Sequence, residues 1–582
     1  ERVEALALGL QREYRVGRGG TVAIVGNPCP EWTIADLAAQ ALGAITYGIY
    51  PTSSPSEVRY LLQHGRASVV VAEDQEHLDK VLAVLEECPG VGAVLVIDTR
   101  ALFMYRDARV RRLDDVERVG REARGVERGA LERLAAAISP DDPATIIYTS
   151  GTTGAPKGAL YHHGPHLAAC ANILAHYPVL TDGEQRIVAM LPLCHTMGRD
   201  LAITMPLIAE VVPHYPESVD AFAEALYEIQ PTFVFTVPRY LQKFAAHLLV
   251  GIDASSPIKR AAYRAAMAVG RRAARQRWQG HLAPLAALGA VAARQLVFRW
   301  LLEKAGFART RLVISSGAPL PPAVATLWQA WGVNLCEAYG QTETGGALIS
   351  GQRGPFPRPG DVGGPAPNME IHLGPDGEIL VATKEFFGGY WRDPEATRAL
   401  YADGRQVTGD LGEWTGSHAL RLVDRKRDIL ITAGGKNVSP SQIESRLRAS
   451  PYVSEAAVFG EGRKYLVALL ELDGETVAEW ARERGLVHTG YASLVQHPEV
   501  ARLIEGEVAR ANAELTRVEQ VKAFRLLPRE LDPEQEGEPV TPTRKVKRRL
   551  MAERYGALVE SMYASDEERR IAAEVAALTR ED

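Results

Sequence analysis

The residues with the clearest chemical potential are Tyr148-Thr149-Ser150-Gly151-Thr152-Thr153-Gly154-Ala155-Pro156-Lys157-Gly158. Glycines let a backbone turn through positive φ and come close to a ligand. Successive free N–H groups in such a turn make a concave anion site. Thr149, Ser150, Thr152 and Thr153 add hydroxyl donors, and Lys157 adds a mobile point charge suited to phosphate. Together they suit the gripping of a polyphosphate. The stretch is not a Walker A loop, which ends in GK[ST]; here Gly158 follows the lysine. Gly/Ser/Thr clusters are more often plain surface loops, but a strand leads straight into this one. Thr145-Ile146-Ile147 is short, apolar and β-branched, the composition of a buried strand.

Further stretches carry candidate chemistry. Met190 to Arg199 places His195 just after an apolar run. A histidine there is more often structural than catalytic. Arg199 and Asp200 are expected to pair with each other or with nearby helices. Arg311 to Leu320 is a strand ending in Gly317-Ala318-Pro319, where small residues leave room for a flat ring. Cys336-Glu337-Ala338-Tyr339-Gly340-Gln341-Thr342-Glu343-Thr344-Gly345 offers a ring for stacking, a glycine for close backbone approach, a hydroxyl and a carboxylate. Asp410, within Val407–Gly412, can accept ribose hydroxyls from a strand end; the plain alternative is an Asx turn. The basic run Val540 to Arg549, taken alone, reads as a solvated face or a nucleic-acid patch.

The elements that must position these residues belong to more than one domain, since 582 residues exceed a single core. The chain is 46% hydrophobic and 24% charged with net charge −6, which gives no global case for nucleic-acid binding. Its five cysteines are scattered and odd in number, suiting a reducing compartment rather than a disulfide framework. No apolar run approaches the roughly 20 residues of a spanning helix. The opening Glu1-Arg2-Val3-Glu4 has no initiator Met or signal peptide and reads as the middle of an amphipathic helix.

Residues 1–140 alternate strands (Thr21–Val25, Ser68–Ala72, Ala93–Ile97) with helices such as Trp32–Leu42. Apolar strands in such alternation argue for a parallel sheet covered by helices. The charged stretch 107–135 reads as a solvated surface excursion. Residues 254–310 hold eleven Lys or Arg and one acid, Glu303, among Ala, Leu and aromatics, as two helices broken around Gly280–Pro284. An exposed helical insertion and a basic amphipathic surface for anionic membrane are equally good readings. Short strands between 360 and 412 form a small β-barrel-like subdomain. A charged break, Asp424-Arg425-Lys426-Arg427-Asp428, precedes a small mixed domain in which Ser439, Pro440 and Gln442 open a capped helix. Residues 564–582 read as a charged helical tail.

Tyr148–Gly158 resembles the phosphate-loop signature of the adenylate-forming (AMP-binding) superfamily, and Cys336–Gly345 resembles its second signature. Met190–Arg199, the 254–310 insertion and Thr541-Pro542-Thr543-Arg544-Lys545 resemble segments of its long-chain fatty acyl-CoA synthetases. The resemblance covers nearly the whole chain. It implies an α/β fold: a large adenylation domain over 1–424, a hinge at 425–430 and a small mobile α+β lid over 431–582. It implies ATP, Mg²⁺ and coenzyme A as cofactors, and a medium- to long-chain fatty acid as substrate.

On that resemblance Thr149, Ser150, Gly151, Thr152, Thr153, Gly154 and Lys157 grip phosphates, and Gly317, Ala318 and Pro319 edge the adenine. Glu337, Ala338, Tyr339, Gly340 and Gln341 line the nucleotide. Thr342 bonds the α-phosphate, Glu343 with Thr149 holds Mg²⁺, Asp410 takes the ribose, and Arg425 reaches ribose or phosphates. His195 lines the acyl site; Thr196 stands beside it where amino-acid-activating relatives carry a nearby Asp, which disfavours an amino-acid substrate. Gly435 and Lys436 belong to a loop near the pantetheine thiol. Lys545 is the electrostatic catalyst by register, with Lys547 the competing choice, and Arg427 occupies the pivot position commonly held by Asp or Lys.

The implied reaction has two steps, carboxylate attack on ATP to give acyl-AMP and thiol displacement of AMP. An acyl-AMP ligase that passes its acyl group to a carrier protein would read the same through residue 430. No GxSxG elbow suggests a hydrolase, and no nucleic-acid module is present. A cytoplasmic location, peripheral contact with the inner membrane face and a homodimer complete the expectations.

Overall fold

The computed structural model describes residues 1–100, 102–126, 129–149, 155–382 and 386–578, with side chains to 563. Seven strands form the first sheet: β1 (Thr21–Val25), β2 (Ile45–Ile49), β3 (Val69–Ala72), β4 (Ala93–Val96), β5 (Val110–Arg112), β6 (Pro143–Thr149) and β7 (Lys157–His162). Their order is β5-β4-β3-β1-β2-β6-β7, parallel up to β6. The central strands are buried along their whole length, as expected where helices cover both faces. Alternate residues feed two cores: Val22 and Ile24 join Leu6, Leu10 and Trp32, while Ala23 and Val25 join Tyr47, Val58 and Leu61.

β7 runs antiparallel to β6 and pairs Thr149 with Lys157. Thr149 and Lys157, at the two ends of the phosphate-loop candidate, are thus cross-strand partners. Ser150, Gly151, Thr152, Thr153 and Gly154 lie outside the described residues.

The stretch 107–135 is not a surface excursion. Its helix Leu113–Val126 packs backbone to backbone on helix Arg2–Tyr14. A Cβ built on Gly120 would stand 1.6 Å from the Ala5 carbonyl oxygen, and one on Gly9 would stand 2.1 Å from that of Val116. Glu117, 1% exposed, lies between them and pairs with Arg2 at 2.8 Å and Arg121 at 3.0 Å. The acids and arginines that made the stretch look solvated are partly this internal network.

A second sheet has parallel strands Phe233–Thr236, Leu312–Ser315 and Leu335–Tyr339, extended by two short antiparallel strands. Trp328, Trp331, Phe298 and Phe307 form its helix-side core. The expected barrel-like subdomain is an open five-stranded antiparallel sheet, in which Arg405–Trp414 pairs with Glu378–Ala382 and Leu420–Arg425. The C-terminal unit has a three-stranded mixed sheet, Val453–Phe459, Leu466–Leu472 and Val521–Leu526, under helices Pro440–Leu447 and Pro498–Asn512. Ser439 caps the first of these helices, accepting from the Gln442 amide at 3.4 Å.

The insertion is helix Pro257–Trp278, a break, then helix Pro284–Ala293 continuing through a π-turn at Arg294–Phe298 into Arg299–Lys304. Pro284–Lys304 is 21 residues, and an 18-residue window within it has mean hydropathy 1.4, long and apolar enough to cross a membrane by length and composition. This corrects the expectation that no run approaches that length; Arg294 and Arg299 interrupt the apolar pattern in the sequence.

Candidate active site

The strands β6, Leu312–Ser315 and Leu335–Tyr339 all release their chain at carboxyl ends, into the phosphate hairpin, Gly317-Ala318-Pro319 and Gly340-Gln341 respectively. Ligands bind at such ends in open α/β sheets. Gly317 has φ +83°, a conformation glycine adopts without strain, and Gly317, Ala318 and Pro319 are exposed.

Beyond Gly340 and Gln341 the chain makes a single 3₁₀ turn, Thr342–Thr344, closed by Gly345 at φ +69°. Tyr161, buried on β7, donates to the Thr342 carbonyl at 2.7 Å, and its hydroxyl is 3.1 Å from Thr196 Oγ1. One phenol thus ties the Thr342 turn to the start of the short helix Thr196–Arg199, where His195 stands. The Glu343 carboxylate accepts from Tyr390 at 2.7 Å, and Lys157 Nζ lies 5.0 Å from the centre of the Tyr390 ring. Burial and Glu343 raise the Tyr390 pKa, so its hydroxyl stays a donor. Thr149, Lys157, Tyr390 and Glu343 make one continuous edge. Its donors to a cation are hard oxygens, the set Mg²⁺ takes.

A second group forms around Asp410. Tyr339 donates to Asp410 Oδ2 at 2.6 Å, Gln341 Nε2 donates to the same oxygen at 2.6 Å, and Arg425 Nε is 3.5 Å from Oδ1. Asp410 and Arg425 are direct partners across the strand pair, so sheet register fixes their approach. Ala338 is buried in the strand before them. Glu337 points the other way, accepting from the Gly360 amide at 3.2 Å, and burial pushes its pKa up to about 8.

His195 Nδ1 accepts from the Met197 amide at 3.3 Å, which leaves the ring proton on Nε2. Burial, aided by the charge of Lys545, lowers its pKa to about 4, so near pH 7 it is a neutral donor. Arg199 does not pair with Asp200. It makes a buried two-pronged contact with Asp36 at 2.8 and 2.6 Å, from helix Pro30–Ala41. Asp200 lies 3.3 Å from His166 Nε2 and near the Cys170 thiol, and burial raises its pKa well above the carboxylate range. This neutral cluster underlies the Gly345–Gly346 turn and belongs to the packing of the site.

The C-terminal unit brings Lys545 to the same cleft. Lys545 is exposed to solvent yet walled by protein: that crowding and Arg425 lower its pKa, while Asp410 and Glu343 oppose them. The charge of Lys547 is felt by Glu57 instead, whereas that of Lys545 is felt by His195. Thr52 donates to the Pro542 carbonyl at 2.8 Å, Ser445 to that of Pro319 at 3.2 Å, and Lys80 pairs with Glu534 at 2.8 Å. Gly435, at φ +70°, and Lys436 sit in an exposed turn between Ile431 and Asn437 and are not brought to the cleft. Arg427 is exposed in the charged break, while Lys426 pairs with Asp376 and Glu378. Sequence reasoning missed Tyr161 and Tyr390; the one available signal was an aromatic directly after the paired glycines Gly388-Gly389.

Comparison with known proteins agrees with this arrangement. The AMP-binding enzyme model matches residues 1–391, and the AMP-binding enzyme C-terminal domain model matches 427–567. The long-chain-fatty-acid–CoA ligase FadD15 of Mycobacterium tuberculosis is 33% identical, covering 96% of this chain and 90% of that protein. The human long-chain-fatty-acid–CoA ligase 6 is 28% identical, covering 97% and 81%. The fold is similar to the A-PCP didomain of carboxylic acid reductase from Segniliparus rugosus in complex with AMP, with TM-score 0.70, 21% identity and coverage of 98% and 76%. With both family models matched in order along the chain, the chain belongs to the AMP-binding enzyme family.

Proposed function

We propose that the protein is a long-chain fatty acid–CoA ligase that forms acyl-AMP from a medium- to long-chain acid and ATP, then transfers the acyl group to coenzyme A. The observation that carries this is the meeting of Lys545, Arg425, Asp410 and Glu343, from two domains, at the ends of three strands. The names of relatives that match along nearly the whole chain support the fatty substrate.

In the first step a carboxylate oxygen attacks the α-phosphorus and the bond to pyrophosphate breaks. Both reactants are anionic, so positive charge and alignment dominate the barrier. Lys157 and the hairpin hydroxyls hold the phosphates, Thr342 bonds the α-phosphate, and Lys545 faces the charge that develops there. The neutral His195 donates its Nε2 proton to the carboxylate and holds it in line. Asp410 takes the ribose hydroxyls, exchanging its bonds from Tyr339 and Gln341, and Arg425 steadies the nucleotide. Glu343 and Thr149 would hold Mg²⁺, which when bound neutralises phosphate charge.

In the second step the thiol, as thiolate, attacks the acyl carbon and the bond to AMP breaks. That step needs an open path more than positive charge. Rotation at the 425–430 hinge withdraws Lys545 and brings in the turn holding Gly435 and Lys436. The five free cysteines support a reducing, cytoplasmic location.

The test is release of AMP and formation of thioester across carboxylates from acetate to stearate, with Mg-ATP, with and without coenzyme A. Thioester formation that needs coenzyme A and peaks among the longer acids is the expected result. Adenylate that accumulates with no thioester would replace coenzyme A with a carrier protein.

A further inference from the structure

Helix Pro284–Lys304 is apolar over most of its surface, with Gln295 and Arg299 exposed among its apolar side chains. Its inner side belongs to the core through Ala293, Phe298 and Leu302. A helix packed by one side on a globular body normally turns a polar side to water. Here the outer side carries Leu285, Leu288, Val291, Leu296 and Trp300, each 59–84% exposed. The inner contacts, and the donation of Arg294 to the Gly332 and Ala308 carbonyls, keep the helix on the protein rather than across a bilayer.

The charge around it is equally one-sided. Residues 254–310 carry net charge +10 within a chain of net −6, so the remainder carries −16. Among the described residues none of the eleven basic side chains of this segment forms an ion pair, although basic side chains on both flanks do, as in Lys243–Glu475 and Arg311–Asp182. Arg260 and Arg294 bond backbone carbonyls and Arg277 stacks on Phe356. Arg264, Arg271, Arg272, Arg275, Arg299 and Lys304 are left exposed. Helix Pro257–Trp278, which bears four of these arginines, packs directly on Pro284–Ala293.

We propose that the face built by these two helices docks on an anionic lipid bilayer. Leu285, Leu288, Leu296 and Trp300 enter the boundary between headgroups and acyl chains, and the unpaired arginines meet the headgroup phosphates. Trp300 is the side chain suited to that depth, with an apolar ring and a polar N–H. The inference stands apart from the acyl-CoA reading, although a surface of this kind would place the cleft where long-chain acids partition.

The test is co-sedimentation of the full chain with vesicles of phosphatidylcholine alone and of phosphatidylcholine mixed with phosphatidylglycerol. Binding to the anionic vesicles, weakened by salt, is the expected result. The triple variant R271Q/R272Q/R275Q should bind on the order of a hundredfold more weakly, at about fivefold per charge. L288N/L296N should lose roughly tenfold or more, and the residual binding should depend more steeply on salt. These side chains are exposed, so an unchanged Tm is expected and verifies folding. Binding to neither vesicle, or binding that ignores both variants, overturns the proposal. So does a dimer that L288N/L296N dissolves in the absence of vesicle binding, which would give the face to a second copy of the chain. AMP release with a short, water-soluble acid is read alongside without vesicles; it should be unchanged in both variants and keeps this outcome separate from that of the ligase reading.

Discussion

Tyr161 shows what a single residue decides in this site. Its hydroxyl fixes the Thr342 carbonyl and meets Thr196, so it aligns the phosphate side of the cleft with the acyl side. Tyr161→Phe removes a buried hydrogen bond and leaves the Thr342 carbonyl held by the Gly345 amide alone, a cost of about 0.5–1.5 kcal/mol. Pyrophosphate release should show kcat lower by about tenfold with KM little changed. A lowered Tm with kcat intact would reduce Tyr161 to a packing role.

Glu337 makes a prediction of opposite character. Its folded pKa, about 8, lies above the unfolded value, so between about pH 4.5 and 8 the folded state holds the extra proton. Stability contributed by this group is present at acid pH and is lost as pH rises through that window. Glu337→Gln keeps the shape without the titration. Urea unfolding should therefore show the variant gaining on the wild type by roughly a few kcal/mol from pH 5 to pH 8; parallel curves would contradict the assignment. Thr342, Glu343, Asp410 and Lys545 were legible because short motifs fix their spacing. Tyr161 and Tyr390 were not, because they act on residues 181 and 47 positions away, and no local pattern encodes such a contact.

At the scale of elements, glycine sets the joint between the first helix and Leu113–Val126. Gly120→Val would drive a side chain into the Ala5 carbonyl, a backbone atom that cannot yield cheaply. A destabilisation of about 3 kcal/mol or more is expected in denaturant unfolding. A loss under about 1 kcal/mol would mean the helices can separate freely. The strands Thr21–Val25, Val69–Ala72 and Ala93–Val96 were readable because unbroken apolar β-branched runs have few other fates. Residues 107–135 were misread because Glu117 and its arginines look solvated until their partners from the first helix are seen. In the same way Pro284–Lys304 hid its apolar length behind two arginines.

At the scale of the whole molecule, the C-terminal unit is set against the large domain by contacts that are individually weak. Lys243–Glu475 is largely exposed, and such pairs contribute about 0–1 kcal/mol. The bonds from Thr52 and Ser445 to Pro542 and Pro319 are single and partly exposed. A closure held so lightly can open between two half-reactions. The charged break between the strands Leu420–Arg425 and Leu430–Ile431 was legible, but the placement of the C-terminal unit was not, since it depends on surfaces that no motif carries.

The most direct measurement separates the half-reactions in Lys545→Ala. Acyl-AMP formation should fall by about 10²–10³-fold or more, as for loss of one transition-state donor. Thioester formation from supplied acyl-AMP and coenzyme A should stay near the wild-type rate. If adenylation survived and transfer from acyl-AMP failed, the arrangement of Lys545 with Arg425, Asp410 and Glu343 would not be the adenylating state, and the account would be contradicted.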